Sequence, residues 1–272
     1  MQPRAKTIEL ARARDAAITL AGLLLMAAVD PAVAAGCSFA PQGEGRVTEI
    51  IDARSFRLAD GRDVILAGIE PVTSSDSKTN QAAALSAIIA GHDVTLSGND
   101  DMPDRYGRQP AFVFLDSSGT SEQVSVQAQS LAQGAALVAA SVTDKDCAAT
   151  LAAAEATARD AKRGIWADPT VIKNTESPGD ILAGIGRFML VEGKVLSVRQ
   201  AGATTYLNFG RNWTRDFAVT IPKRMIAVFE GAGIMLKSLE NRRIRVRGWI
   251  EARGGPRIEA LRVGQIELLG EN

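Results

Sequence analysis

The sequence predicts a mainly β protein with helices (α+β), arranged as two successive barrel-like modules behind an apolar leader. Three observations predict it. Residues 46–71 alternate as three short strands joined by turns. Ala-rich helical patterns follow at 81–90, 124–133 and 147–163. From Phe188 to Leu269 a second run of strands appears, with one helix between its third and fourth members.

Met1–Ala35 reads as an export signal. Arg4, Lys6, Arg12 and Arg14 form a basic start, Ala17–Val29 an apolar stretch too short for a comfortable span, and Ala32-Val33-Ala34 a cleavage site. The segment is expected to be absent from the mature protein, which leaves no stable membrane insertion and an exported, periplasmic product. An uncut anchor remains open, and so does a lipoprotein reading in which Cys37 of Ala34-Ala35-Gly36-Cys37 carries the lipid. The chain has two cysteines, Cys37 and Cys147. An even pair in an exported protein points to a disulfide, which competes with lipidation of Cys37. Two Cys and the single His92, far apart, lack metal-ligand spacing; His92, just after Gly91, is expected in a turn.

Within 46–71, Val47, Ile50 and Ile51 form one apolar set, Phe56 and Leu58 the next, and Val64, Leu66 and Ile69 the third. Ala59-Asp60-Gly61-Arg62 supplies a hairpin turn, since Asp-Gly tolerates positive φ. Asn80 is placed to cap a helix over 81–90, stopped by Gly91. Residues 93–97 form a strand and 104–116 a turn followed by a strand. Residues 135–139 form a short strand, and Gly164 closes the 147–163 helix. Residues 168–184, rich in Pro, Gly, Asn and Ser, are expected to be a linker. Strands are then expected at 188–199, 204–210, 216–221, 242–251, 257–261 and 265–269, with a helix over 223–239 interrupted by Gly231 and Gly233.

Length allows two modest cores, and the formal charge of zero hides a split. Gly36–Ala183 holds 12 Lys/Arg against 20 Asp/Glu, net −8; Gly184–Asn272 holds 15 against 8, net +7. A basic half beside an acidic one favours polyanion contact by the former, or two oppositely charged surfaces that face each other.

Three motifs carry a family resemblance. Leu66-Ala67-Gly68-Ile69-Glu70-Pro71, Asp104-Arg105-Tyr106-Gly107-Arg108 and the helix Glu155–Trp166 ending in Gly164-Ile165-Trp166 resemble, in order, those of the staphylococcal-nuclease-like (thermonuclease) family. The resemblance covers Arg46–Trp166. It implies a five-stranded oligonucleotide/oligosaccharide-binding (OB) barrel with helices. The strand–strand–strand–helix–strand–strand order after Phe188 resembles a second, OB-like barrel. The expected domains are therefore a signal peptide (1–35), a thermonuclease-like domain (36–167), a linker (168–184) and an OB-like domain (185–272).

The resemblance also implies a site: two Asp ligands for calcium, a Glu base and two Arg, which polarise phosphate, orient water and stabilise the developing charge. Position by position, Arg54 replaces the first Asp, Ile65 the first Arg and Thr73 the Glu base. Glu70 stands for the second Asp, one methylene longer, and Arg108 for the second Arg. Glu70 and Arg108 are thus remnants of the catalytic set, and no cofactor is expected unless Glu70 binds calcium. A shifted register, with Asp52, Asp60 or Asp63 and Arg57 or Arg62, is the alternative that would preserve calcium-dependent phosphodiesterase activity. For binding, the candidates are Arg105 and Arg108 in the first module and Trp213, Arg211, Arg215, Arg245 and Arg247 in the second, because basic grooves with stacking rings hold single strands. Tyr206, Phe209, Trp249 and Arg257 are weighed with them, Phe209, Phe217 and Trp249 serving equally well as core. The expected function is an exported thermonuclease-like protein that binds single-stranded nucleic acid or another polyanion with a degraded catalytic site. A calcium-dependent endonuclease with a rearranged site and a cell-envelope module with a protein partner stay open.

Overall fold

The computed structural model describes residues 37, 39–72, 75–99, 102–116 and 123–270. The stretch expected to be an export signal, 1–35, and Thr73 lie outside the described residues. β1 (Ala40–Ile50), β2 (Ser55–Leu58) and β3 (Asp63–Leu66) form the expected meander, with Ser55 opposite Ile65. β1 begins ahead of Arg46, because residues 40–46 find partners on a later strand. Then come β4 (Ile69–Glu70), α1 (Ser75–Ile89), β5 (Asp93–Gly98), β6 (Gln109–Asp116), β7 (Gln123–Ser125), α2 (Val126–Ala132), β8 (Leu137–Val138) and α3 (Lys145–Asp160).

β1 pairs with β5, β5 with β6, and β6 runs parallel to β3 with Val64 opposite Gln109, so five strands close a barrel in the order β3-β2-β1-β5-β6. Phe56, Leu58, Leu66, Leu85, Ile89 and Leu96 fill it. Gly68, at φ +79°, cannot be replaced cheaply: a Cβ there would press on Val142, Leu151 and Phe112. Cys37 is bonded to Cys147, using the sulfur that lipidation would need.

Some bounds differ from expectation. α1 starts at Ser75, not after Asn80, since 75–80 holds no Gly or Pro to stop it. Residues 124–125 join β7, and Ser125 caps α2 by accepting from Ala128 N at 3.2 Å. α3 begins two residues before Cys147 because Asp144 accepts from Cys147 N at 2.8 Å, and it ends before Lys162, whose φ is +51°.

The stretch expected as a linker is structured. After two 3₁₀ turns, β9 (Ile172–Asn174) pairs in parallel with β10 (Phe188–Lys194), and α4 (Pro178–Leu182) buries Ile181 in the second core. β11 (Ser197–Ala201), β12 (Thr204–Asn208) and β13 (Ala218–Pro222) follow. α5 (Lys223–Gly231) stops at its glycine rather than running to Leu239; a 3₁₀ turn occupies 236–239. β14 (Arg243–Trp249), β15 (Glu251–Arg253), β16 (Gly255–Glu259) and β17 (Ile266–Leu268) complete the chain.

Two of the expected strands are bent. The strand over 188–199 breaks at Val195–Leu196 into β10 and β11, and that over 242–251 breaks at Ile250 into β14 and β15. Each half pairs with a different sheet: β10 with β14, β11 with β12, β15 with β16. With β12–β13 and parallel β13–β16, the ring runs β10/β11, β12, β13, β16, β15/β14. This is the ring order of the first barrel, again with the third and fifth strands parallel. Among the described residues no helix is long and apolar enough to cross a membrane.

The barrels share one compact unit, Ala35–Asn272. A third apolar cluster (Leu137, Ala158, Trp166, Phe188, Leu190) joins α3 and β8 to β10. Beside it lies a buried ion network. Glu155 of α3, 1% exposed, accepts from Val138 N at 2.7 Å and from both terminal nitrogens of Arg247 at 3.0 and 2.8 Å. Arg245 bonds Glu192 at 2.6 Å and Glu267 at 2.9 Å.

Candidate functional site

The turn between β1 and β2 positions Arg54: Asp52 Oδ1 accepts from Arg54 N at 2.9 Å, and Arg54 O accepts from Leu66 N at 2.8 Å. This second bond lays Arg54 against the end of β3, two residues before Gly68 turns the chain into β4. Glu70, on β4, therefore faces it. Arg54 Nη1 lies 2.7 Å from Glu70 Oε1 and also donates to Ile69 O at 3.1 Å. Burial pushes the Glu70 carboxyl above the usual carboxylate range, and the guanidiniums of Arg54 and Arg108 pull it back only in part.

Arg108 opens β6. Its Nε and Nη2 donate to Asp104 Oδ2 at 2.9 and 2.7 Å, and its Nη1 to Ser55 Oγ at 3.4 Å. Asp104 also accepts from the backbone N–H groups of Tyr106 and Arg108. Burial alone would raise its carboxyl; these bonds from Arg108 and Tyr106 hold it below the usual range instead. Tyr106 is 67% exposed, with the Arg105 and Arg108 guanidiniums 4.8 and 5.2 Å from its ring centre.

Ile65 is buried opposite Ser55 and offers no charge. Of the residues of the shifted register, Asp60 is paired with Arg62 and Asp63 with Arg57, each at 2.7 Å, and Asp52 accepts from Arg54 N. A cleft of about 270 Å³ beside Glu70 is walled on its far side by Phe188, Trp249 and Arg262. A larger cavity, about 500 Å³, lies away from Arg54 and Arg108 between α1 and β10.

The donor set does not fit calcium. A carboxylate about 4 Å away attracts a dication by ~8 kcal/mol at an effective dielectric of 20. A guanidinium beside that carboxylate cancels the gain, and Arg54 is such a guanidinium. Among the described residues no three His, Cys, Asp or Glu side chains cluster to hold a metal. The site is a pair of internal ion pairs, Arg54–Glu70 and Arg108–Asp104.

The second barrel divides its candidates. Arg245 and Arg247, expected to face nucleic acid, are 8% and 6% exposed and held by Glu192, Glu267 and Glu155. The alternation Arg-Ile-Arg-Val-Arg does put the arginines on one face, but there Glu155 of α3 takes Arg247, Glu192 of β10 and Glu267 of β17 take Arg245, and only Arg243 stays exposed. Arg257 pairs with Glu251 at 2.9 Å. Phe209 and Phe217 are core, their ring centres 5.2 Å apart; Trp249 is half-exposed, its ring centre 6.0 Å from that of Phe188 in an edge-to-face arrangement. Trp213, Arg211 and Arg215 remain at the surface. Residues that sequence reasoning missed are Glu155, Glu192 and Glu267 of the junction and Gly254, which lies against Trp213; 92 residues separate Glu155 from Arg247, and no local signal links them.

Residues 73–168 match the model of a family described as staphylococcal nuclease homologue. The chain thus carries a domain of that family over roughly a third of its length, and the matched span includes Asp104–Arg108 and Gly164–Trp166. A search of curated proteins found no match. A domain of this family accords with nuclease or nucleic-acid-binding activity.

Proposed function

We propose that this is an exported, periplasmic protein that binds single-stranded nucleic acid or a similar polyanion and does not hydrolyse it. The observation that carries the reading is the 2.7 Å contact between Arg54 and Glu70. By the family resemblance these residues stand at the two metal-ligand positions, and here they satisfy each other. A side-chain cation takes the role of a bound one, without an open coordination position to activate water. Thr73, at the position of the base, has no titratable group to accept a proton near neutral pH. General-base and electrostatic contributions are each worth about 10²-fold or more in rate, so their joint loss removes useful turnover.

Binding needs less. Three guanidiniums that lack a carboxylate partner among the described residues sit beside exposed rings: Arg105 over Tyr106, and Arg211 and Arg215 on either side of Trp213 in sequence. A cation beside a ring serves phosphate and base together.

The test incubates the mature, disulfide-bonded chain with labelled single-stranded DNA and RNA, in calcium and in chelator, and records cleavage and retention. Retention without cleavage, equal in calcium and chelator and lost at high salt, is the expected result. Calcium-dependent cleavage abolished by Arg108→Ala would overturn the reading in favour of an active phosphodiesterase. Neither retention nor cleavage would overturn it in favour of a protein partner in the cell envelope.

A further inference from the structure

The parallel pairing of β13 with β16 brings the starts of both strands to one end of the second barrel, Ala218 opposite Arg257. The loop entering β13 (209–217) therefore lies beside the turn entering β16 (254–255). A Cβ on Gly255 would strike the backbone of Asp216 and Arg215, and one on Gly254 would lie 3.5–3.7 Å from Trp213. The indole thus rests on a glycine in the left-handed region (φ +84°), a residue that leaves room for it.

The loop is held from within. Asp216 Oδ2 accepts from Asn212 N at 2.8 Å and packs tightly on Gly210. Asn212 Oδ1 accepts from Thr214 N at 3.1 Å and Thr214 Oγ1 at 2.6 Å, and Asn212 O accepts from the N–H groups of Arg215 and Asp216. At the tip of this braced loop Trp213 is 76% exposed. Arg211, Arg215 and Arg253, all exposed, form no side-chain hydrogen bond or ion pair with a described residue. A large indole fixed in water, with three cations on the adjoining segments and no carboxylate paired to them, matches an anionic chain that carries planar groups.

We propose that Trp213, seated on Gly254 and flanked by Arg211, Arg215 and Arg253, is a preformed stacking site for the bases of single-stranded nucleic acid. The inference rests on the binding function proposed above and locates it on the second barrel. The indole takes the base and the arginines take the phosphates on either side of it. Rigidity lowers the ordering cost of binding.

The test titrates the full mature chain with a fluorescently labelled oligothymidylate and follows both label anisotropy and intrinsic tryptophan emission. Trp213→Ala is expected to weaken binding about 5- to 150-fold. Trp213→Phe is expected to keep most of the affinity but lose the tryptophan quenching, while the melting temperature stays unchanged in both because the ring is exposed. Each of Arg211→Ala, Arg215→Ala and Arg253→Ala should lower the slope of log affinity against log salt by about 0.7. Equal affinity of Trp213→Ala and wild type overturns this site. Binding abolished by Tyr106→Ala and untouched by Trp213→Ala overturns it while sparing the binding function, and no binding by the wild-type chain overturns both.

Discussion

The two barrels have one ring order and put their arginines to opposite uses. In the first, the cations near the expected active site are spent internally: Arg54 on Glu70, Arg108 on Asp104, Arg57 on Asp63 and Arg62 on Asp60. In the second, the strand arginines 245 and 247 are buried at the junction, while Arg211 and Arg215 of the loop and Arg253 at the end of β15 stay open. The loops that enter the third strand show the same contrast. The first barrel uses a four-residue turn, Ala59–Arg62, whose arginine folds back onto Glu44 O at 2.8 Å; the second uses nine residues, Phe209–Phe217, with Trp213 at the tip. Topology sets where a loop points, and its length and pairing decide whether it offers anything to a ligand. A net charge of +7 for the C-terminal half therefore overstates its accessible charge, since part of it neutralises Glu155 of the acidic half.

Changes that separate the barrels should have the largest effects. Cys37 and Cys147 close a loop of 110 residues within the first barrel alone, worth roughly 4–5 kcal/mol in the chain-entropy model. Denaturant unfolding of the Cys37→Ser/Cys147→Ser protein should show that loss, and hydrogen exchange should rise in β1 and α3 more than in β12 and β13. Equal loosening of both barrels would mean that they unfold only as one.

Glu155→Ala leaves Arg247 buried without its carboxylate and should cost about 3–5 kcal/mol. Unlike the disulfide variant, it should loosen β14 together with α3. The double substitution Glu155→Leu/Arg247→Met should recover most of that stability. A double variant as unstable as the single one would show that the network's own attraction, and not the burial of a lone charge, sets the cost.

Smaller effects come from pH, and the two carboxylates of the first site should respond with opposite sign. Glu70 titrates higher in the folded protein than unfolded. It therefore contributes stability below its unfolded value, about 4.3, and loses it as pH rises through the folded one. Asp104 titrates lower when folded, so its contribution is present above its unfolded value, about 3.9, and disappears as pH falls through the folded one. Melting curves of Glu70→Gln and Asp104→Asn against wild type, from about pH 3 to 7, should show the wild-type advantage shrinking with rising pH for the first and growing for the second. Parallel trends would contradict the assignment of burial to one and hydrogen bonding to the other.

Much of the fold was legible because it is written in short-range pattern. Alternation at Val47, Phe56, Val64 and Val113 marks strands, Asp60-Gly61 marks a hairpin, and the Cys37–Cys147 pairing follows from there being two cysteines. Long-range partners were not legible. Arg245 and Arg247 occupy alternating strand positions that read the same whether water or a carboxylate lies opposite; the carboxylates that decide it come from other strands for Arg245 and from a helix 92 residues away for Arg247. Residues 168–184 lack periodicity because β9 and α4 are too short to show one, although Ile181 is fully buried. The bends at Val195 and Ile250 arise from barrel closure, which local propensity does not encode. At the candidate site, the exchange of Asp for Arg at position 54 was visible in the turn; that Arg54 would pair with Glu70 depended on β3 and β4 bringing them together.

The most direct test of that pairing is calcium itself. Thermal unfolding of the wild-type chain and of Arg54→Asp would be followed in chelator and across a calcium series. Calcium at 100 times its Kd would stabilise a binding protein by about 2.7 kcal/mol, a shift of several degrees in melting temperature. The wild-type protein is expected to show no such shift, and Arg54→Asp, with two carboxylates facing each other, is expected to gain one. A calcium-dependent rise in the wild-type melting temperature that Glu70→Gln abolishes would contradict the account, because it would mean that a metal displaces Arg54 and the site is still a metal centre.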